Sequence, residues 1–222
     1  MVEAVLRRGR RRAVERTAVA AAAAQYAAMG WPVCVGANPP SRQRHAEVLR
    51  ACSCDRIGCP APGAHPRSPT WQSQATADPR VVERWWAASP EANAILVTGR
   101  VFDVLEIEAH AGAAALRLME RSAVRPGPVA ISAGNRVLFF VATRGAPANE
   151  DEWWSCRLDC EPETNPEVAG LRWHCRDSYV LAPPCRDGNS VKAHWLRPPV
   201  GQPLPDGLRL LGYLADACEG IT

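Results

Sequence analysis

Three cysteines and a histidine fall close together at Cys52, Cys54, Cys59 and His65. Thiolates and an imidazole are the soft and borderline ligands that tetrahedral Zn²⁺ takes. All four sit in one short segment, so closing the chain around an ion costs little entropy. Binding would then be folding energy for that segment. The spacing is not that of a standard finger, and Cys34 and His45 are the reserve ligands if His65 is not the fourth. The plainer alternative is free thiols beside a surface histidine. A second constellation is Glu106 and Glu108 in FDVLEIEA. On a strand, Phe102, Val104, Glu106 and Glu108 share one face, and Asp103, Leu105 and Ile107 share the other. Two carboxylates at i and i+2 can hold one or two Mg²⁺ or Mn²⁺ ions. Taken alone the pair reads first as the solvated outer end of a strand, since E-x-E on a strand is a weak signal.

Other residues carry weaker signals. Arg7, Arg8, Arg10, Arg11, Arg12 and Arg16 stand against one acid, Glu15. Such a run can touch phosphates, and it also suits a solvated N-terminus feeding a helix. Cys156 and Cys160 form C-x-x-x-C, while Cys175, Cys185 and Cys218 stand alone and read as small buried hydrophobes. Trp85 and Trp86 point about 100° apart on a helix, so one can be core and the other is open to base stacking. Trp153 and Trp154 lie in a polar stretch and suit an exposed partner site.

The chain has 222 residues, enough for one full α/β or α+β domain or two small ones. Apolar residues make up 47% and charged residues 22%, which excludes a disordered chain. A net charge of +3 excludes a polycation. The alanine-rich stretch 18–24 is too short to span a bilayer, and no export signal precedes it. Nine cysteines without an export signal argue for thiols or metal ligands and against a disulfide framework. These features place the protein in the cytoplasm with no membrane partner.

The elements that must position these residues follow from patterning. Residues 13–29 read as a helix ended by Gly30, and WPVCV at 31–35 as a short strand. Residues 36–70 form a long loop of proline, glycine, cysteine and arginine, which is functional or held by something. Asp78-Pro79 opens a helix. Strands are predicted at 94–98 and 102–109, and a helix at 111–122. Two strands at 128–132 and 136–142 are joined by the Gly134-Asn135 turn. Residues 144–168 form an irregular insertion. Residues 171–174 and 179–182 are predicted as a strand pair stopped by Pro183-Pro184, and 193–196 as a last strand. An amphipathic helix at 207–218 closes the chain. No linker separates two domains.

Several segments, in this order, resemble the prim-pol family of bifunctional DNA primase/polymerases. They are AAQYAAMGWPVCV, the cysteine loop with PGAHP, WQSQATADPRVVERWWAASPEANAILVTG, FDVLEIEAHAG, GPVAIS with NRVLFFVA, GLRWHCRDSYVLAPP and HWLRPP. The resemblance covers roughly residues 18–198 and rests on joint order rather than any one piece. It implies an α+β, archaeo-eukaryotic primase-like domain with an RRM-like catalytic core and a zinc-knot loop. The domain would span 18–198, with the zinc loop at about 37–70 and the insertion at about 144–168. A basic segment 1–17 would precede it, and a C-terminal helix within 199–222 would pack on it.

The resemblance also implies three active-site motifs. The metal-binding acid pair falls on Glu106 and Glu108, each one methylene longer than aspartate. A nucleotide-contacting histidine falls on Val137, and a third acid on Arg172. The arginine that often follows that acid falls on His174. Two-metal phosphoryl transfer needs carboxylates to offset closely spaced cations, and an arginine in place of one works against this. Arg136, Arg172 and His174 would instead bind nucleotide or phosphate, unless the two arginines are plain surface charge. The leading expectation is thus a domain that binds nucleotide or nucleic acid with polymerase activity lost or strongly reduced, and whether it is an enzyme stays open. One alternative is an active DNA primase/polymerase using Glu106 and Glu108 plus a further acid such as Glu167 or Asp177. The other is a regulatory module with a protein partner. Zinc would be structural, and Mg²⁺ or Mn²⁺ a cofactor only of an active enzyme. No P-loop is present in the sequence, so the expectation is that the chain stands alone or that its helicase is a separate protein.

Overall fold

The computed structural model describes residues 2–38, 52–54, 56, 58–143, 170–188 and 191–219, with side chains from residue 10 onward except 11 and 12. The expected insertion at 144–168, with Cys156, Cys160, Trp153, Trp154 and Glu167, lies outside the described residues. So do His45 and the side chains of Arg7, Arg8, Arg11 and Arg12. Two compact units emerge: Met1–Leu96 with Leu181–Lys192, and Val97–Val180 with Ala193–Thr222.

The first unit begins with helix α1 (Val2–Ala28). The helix starts well before residue 13, because the arginine-rich segment has the same good helix propensity as the alanine run. Gly30 ends it with a φ of +79°. Ala23, Tyr26 and Ala27 form its buried stripe. The Tyr26 hydroxyl donates to the Pro183 carbonyl at 2.5 Å, and the ring stacks on Trp31. Strand β1 (Val33–Val35) pairs antiparallel with β2 (Ala94–Val97), Val33 facing Leu96. A four-residue turn of helix, α2 (Trp71–Gln74), had no sequence signal strong enough to read. Helix α3 (Pro79–Ala88) is capped as expected: the Asp78 carboxylate accepts from the Arg80 N–H at 2.8 Å. Its Trp86 is buried and donates to the Ala92 carbonyl, while Trp85 is half-buried. The pair thus splits as the helical angle requires.

The second unit is built on a five-stranded antiparallel sheet. Its strands are β3 (Phe102–Glu108), β4 (Val129–Ile131), β5 (Arg136–Ala142), β6 (Arg172–His174) and β8 (His194–Arg197), in the order β6-β3-β5-β4-β8. Strand β7 (Tyr179–Leu181) belongs instead to a sheet with β1 and β2, in the order β1-β2-β7. The expectation that β6 and β7 pair with each other is therefore corrected. The short turn at Arg176-Asp177 sends the chain into a different sheet rather than back along β6. Asp177 adopts φ +60° there, and Thr98 holds the turn through bonds to the Cys175 and Ser178 carbonyls.

Alternation decides which side of the five-stranded sheet is core. Leu105 and Ile107 of β3, Val137, Phe139 and Val141 of β5 and Trp173 of β6 point to one side. There they meet Ala111, Ala115 and Met119 of helix α4 (Ala109–Arg121) and Leu210, Leu214 and Ala217 of helix α5 (Gly207–Glu219). The spacings 111, 115, 119 and 210, 214, 217 are single helical stripes. Gly112 is needed for the close approach: a Cβ there would lie 2.4 Å from Val137 Cγ2. The opposite side of β3 carries Glu106 and Glu108.

Candidate functional site

The carboxylate face is assembled by register. Glu106 stands opposite Arg172 on β6 and Leu138 on β5, and Glu108 stands opposite Arg136. Directly paired residues in antiparallel strands point to the same side. The pairing therefore brings Glu106, Glu108, Arg136 and Arg172 onto one face, with His174 two residues along β6.

Glu106 is held from both sides. Its Oε1 makes an ion pair with Arg136 Nε, and its Oε2 accepts from His174 Nε2 at 2.7 Å. Desolvation pushes its carboxyl upward, but the hydrogen bond and charge of His174, with Arg136 and Arg172 behind it, outweigh that and keep it below the ordinary carboxylate range. Glu108 is half open: Oε1 lies 3.8 Å from Arg136 Nη1 and Oε2 lies 3.6 Å from His110 Nδ1. Arg136 also donates to the Gly170 carbonyl. On its far side, His174 Nδ1 lies 3.0 Å from the Ser178 hydroxyl, and both residues are buried. Gly170 and Ser178 carried no sequence signal of their own. Ser178 was findable only through the four-residue spacing from His174 across a tight turn.

Val137 is not on this face. It is buried against Gly112 and Ile107 on the helix side of the sheet. The residue at the place of a nucleotide-contacting histidine thus points away from the acids, since a one-residue step along a strand reverses the side. Arg136, one residue before it, stands beside the acids. Asp177, a candidate further acid, is exposed on its turn, with its carboxylate 3.8 Å from Arg176.

A two-metal centre needs an anionic cluster with open oxygen ligands. Here both oxygens of Glu106 are engaged, and Arg172 stands across from it. The residues present do not fit a pair of divalent ions.

The cysteine constellation, in the first unit, does gather. The ligand atoms of Cys52, Cys54, Cys59 and His65 all lie within 4.8 Å of one another. A tetrahedral zinc with thiolate bonds has ligand–ligand edges of about 3.8 Å, so modest contraction closes the site. His65 Nδ1 donates to the Pro66 carbonyl at 2.7 Å, which leaves Nε2 as the coordinating nitrogen. That nitrogen is 3.2 Å from Cys52 Sγ, and the Gly63 N–H points at the same sulfur. A bond from the Arg56 backbone lowers the Cys54 thiol to about 7, while desolvation raises Cys59 to about 11. A cation is what would stabilise three adjacent thiolates. Cys34 lies in β1, outside the cluster, so His65 is the histidine or cysteine that completes the described set. Asn93 braces the same loop from within, donating to the carbonyls of Gly63 and Arg186. Cys185 is a different kind of thiol: burial pushes it up to about 12, and it accepts from the Ala94 N–H.

A five-stranded antiparallel sheet with two helices on one side and a carboxylate pair on the other defines an α+β domain consistent with the prim-pol fold. The profile of the family described as bifunctional DNA primase/polymerase, N-terminal (Prim-Pol) matches residues 23–207, and the chain belongs to that family. The family implies a nucleotidyltransferase or primase/polymerase-like function. No curated protein matches the chain. Among the described residues no helix is long and apolar enough to cross a membrane.

Proposed function

We propose that this Prim-Pol domain binds a nucleotide or nucleic acid and that its nucleotide-joining activity is lost or strongly reduced. One observation carries the reading: Glu106 is already paired with Arg136 and hydrogen-bonded to His174. A carboxylate held by one ion pair and one hydrogen bond is a poor ligand for a further cation. Phosphate recognition centres on Arg172, on the edge strand β6, where a guanidinium suits a phosphate's paired oxygens. The Cys₃His cluster acts as a structural zinc knot that orders its loop.

Template-dependent incorporation of deoxynucleotides with Mg²⁺ or Mn²⁺ tests the reading. The expected result is none above background, with measurable binding of single-stranded DNA or nucleoside triphosphate at low salt. Incorporation that disappears in Glu106→Ala would establish the active-enzyme alternative, which the shared face of Glu106 and Glu108 favours. Absence of both incorporation and binding would move the domain to the protein-interaction class.

A further inference from the structure

We propose that Arg136 is a tethered cation seated in the place of a divalent ion, so that the chain holds a latent metal site that opens when Arg136 is removed. The inference rests on the reading of Glu106 as already paired.

The guanidinium of Arg136 meets three oxygens: Glu106 Oε1, Glu108 Oε1 and the Gly170 carbonyl. Two carboxylates and one backbone carbonyl are a hard-oxygen donor set of the kind Mg²⁺, Mn²⁺ and Ca²⁺ take. The three converge because the fold brings them there. Glu106 and Glu108 share one face of β3, and Arg136 is the first residue of β5, in register with Glu108. Gly170 has φ +91°, and a Cβ there would sit 3.4 Å from Glu108 Cγ, so the backbone runs close against the acid. This cation is fixed in the chain and loses no translational freedom on binding. An ion from solution would have to shed water and displace it. Removing the guanidinium leaves two carboxylates on one face with a carbonyl beside them, and Arg172, opposite Glu106 on β6, as the guanidinium that still shares the face. Like charges that close are costly, and a divalent ion relieves the cost. The remaining hold on Glu106 by His174 touches only the other oxygen, Oε2.

The test is a Mn²⁺ titration of the full chain, zinc left in place, read by the electron paramagnetic resonance signal of free Mn²⁺. The thiolate cluster does not compete for so hard an ion. Wild type, Arg136→Ala and Arg136→Ala with Glu106→Gln are compared. Arg136→Ala is expected to bind one Mn²⁺ about tenfold tighter than wild type or better, and the double variant to lose that gain. Equal affinity in wild type, or no gain in a folded Arg136→Ala protein, overturns the proposal. If Arg136→Ala does not fold, Arg136→Gln gives the same comparison with a neutral donor. The wild-type melting midpoint is the independent arm: no change in millimolar Mn²⁺ supports the proposal, and a rise overturns it. Primer extension run beside these measurements separates the two ideas. A variant that gains no Mn²⁺ while wild type stays inactive sinks the tethered cation alone. Incorporation by wild type sinks the proposed function itself.

Discussion

The cysteine cluster and the carboxylate face are both sets of potential metal ligands, and they differ in where the positive charge comes from. Cys52, Cys54, Cys59 and His65 gather thiol and imidazole donors. Glu106 and Glu108 are gathered together with Arg136, Arg172 and His174. The first set is open to an ion from solution, whereas the second carries its counter-charge in the chain. A ligand set therefore says little about metal until the cations that share its face are counted.

The largest expected effect lies on the cysteine side. Purified protein should carry close to one zinc by elemental analysis, and Cys59→Ser should lose it. Structural zinc in small sites contributes about 10–16 kcal/mol of apparent binding energy at neutral pH. Chelation should therefore lower the melting midpoint and expose the loop to protease. Less than about half an equivalent of zinc would break the comparison at its first term.

On the carboxylate side, Glu106→Ala should cost about 1–3 kcal/mol in urea unfolding, because Arg136 and His174 are left facing each other without their acceptor. A value near zero would mean that the pairs add nothing and that Glu106 is open to a metal.

Acid should act in the same direction. The Glu106 carboxyl titrates lower in the folded protein than in the unfolded chain. The unfolded chain therefore takes up the proton first as pH falls. Stability from this group is full above the ordinary carboxylate value of about 4.3 and is lost on going down through the lowered folded value. Urea midpoints measured between neutral pH and pH 3 should fall below that point, and Glu106→Gln should flatten part of the slope.

Ser178→Ala is the smallest expected change, about 0.5–1.5 kcal/mol, since it removes one hydrogen bond to the His174 ring. Nitrogen chemical shifts of the His174 imidazole should move in this variant. Unchanged shifts would remove Ser178 from the site.

Much of the fold could be read in the chain because its signals are local. Asp78-Pro79 capped α3, the Asn135 turn with φ +59° joined β4 to β5, and the alternation in FDVLEIEA assigned both faces of β3. The cysteine cluster was legible for the same reason, since its members lie within one loop. Sequence order alone failed where partner choice mattered. Residues 171–174 and 179–182 look like two halves of a hairpin, yet each pairs in a different sheet. Val137 looked like a site position until its pairing with Ile107 put it under α4.

The sequence by itself determined the family, the ligand types and the face on which Glu106 and Glu108 point, because composition, spacing and strand alternation are properties of short stretches. Only the tertiary structure decided which cations share that face. Arg136, Gly170 and His174 reach Glu106 and Glu108 across three strands far apart in the chain, and a charge is neutralised by what is near it in space rather than in sequence.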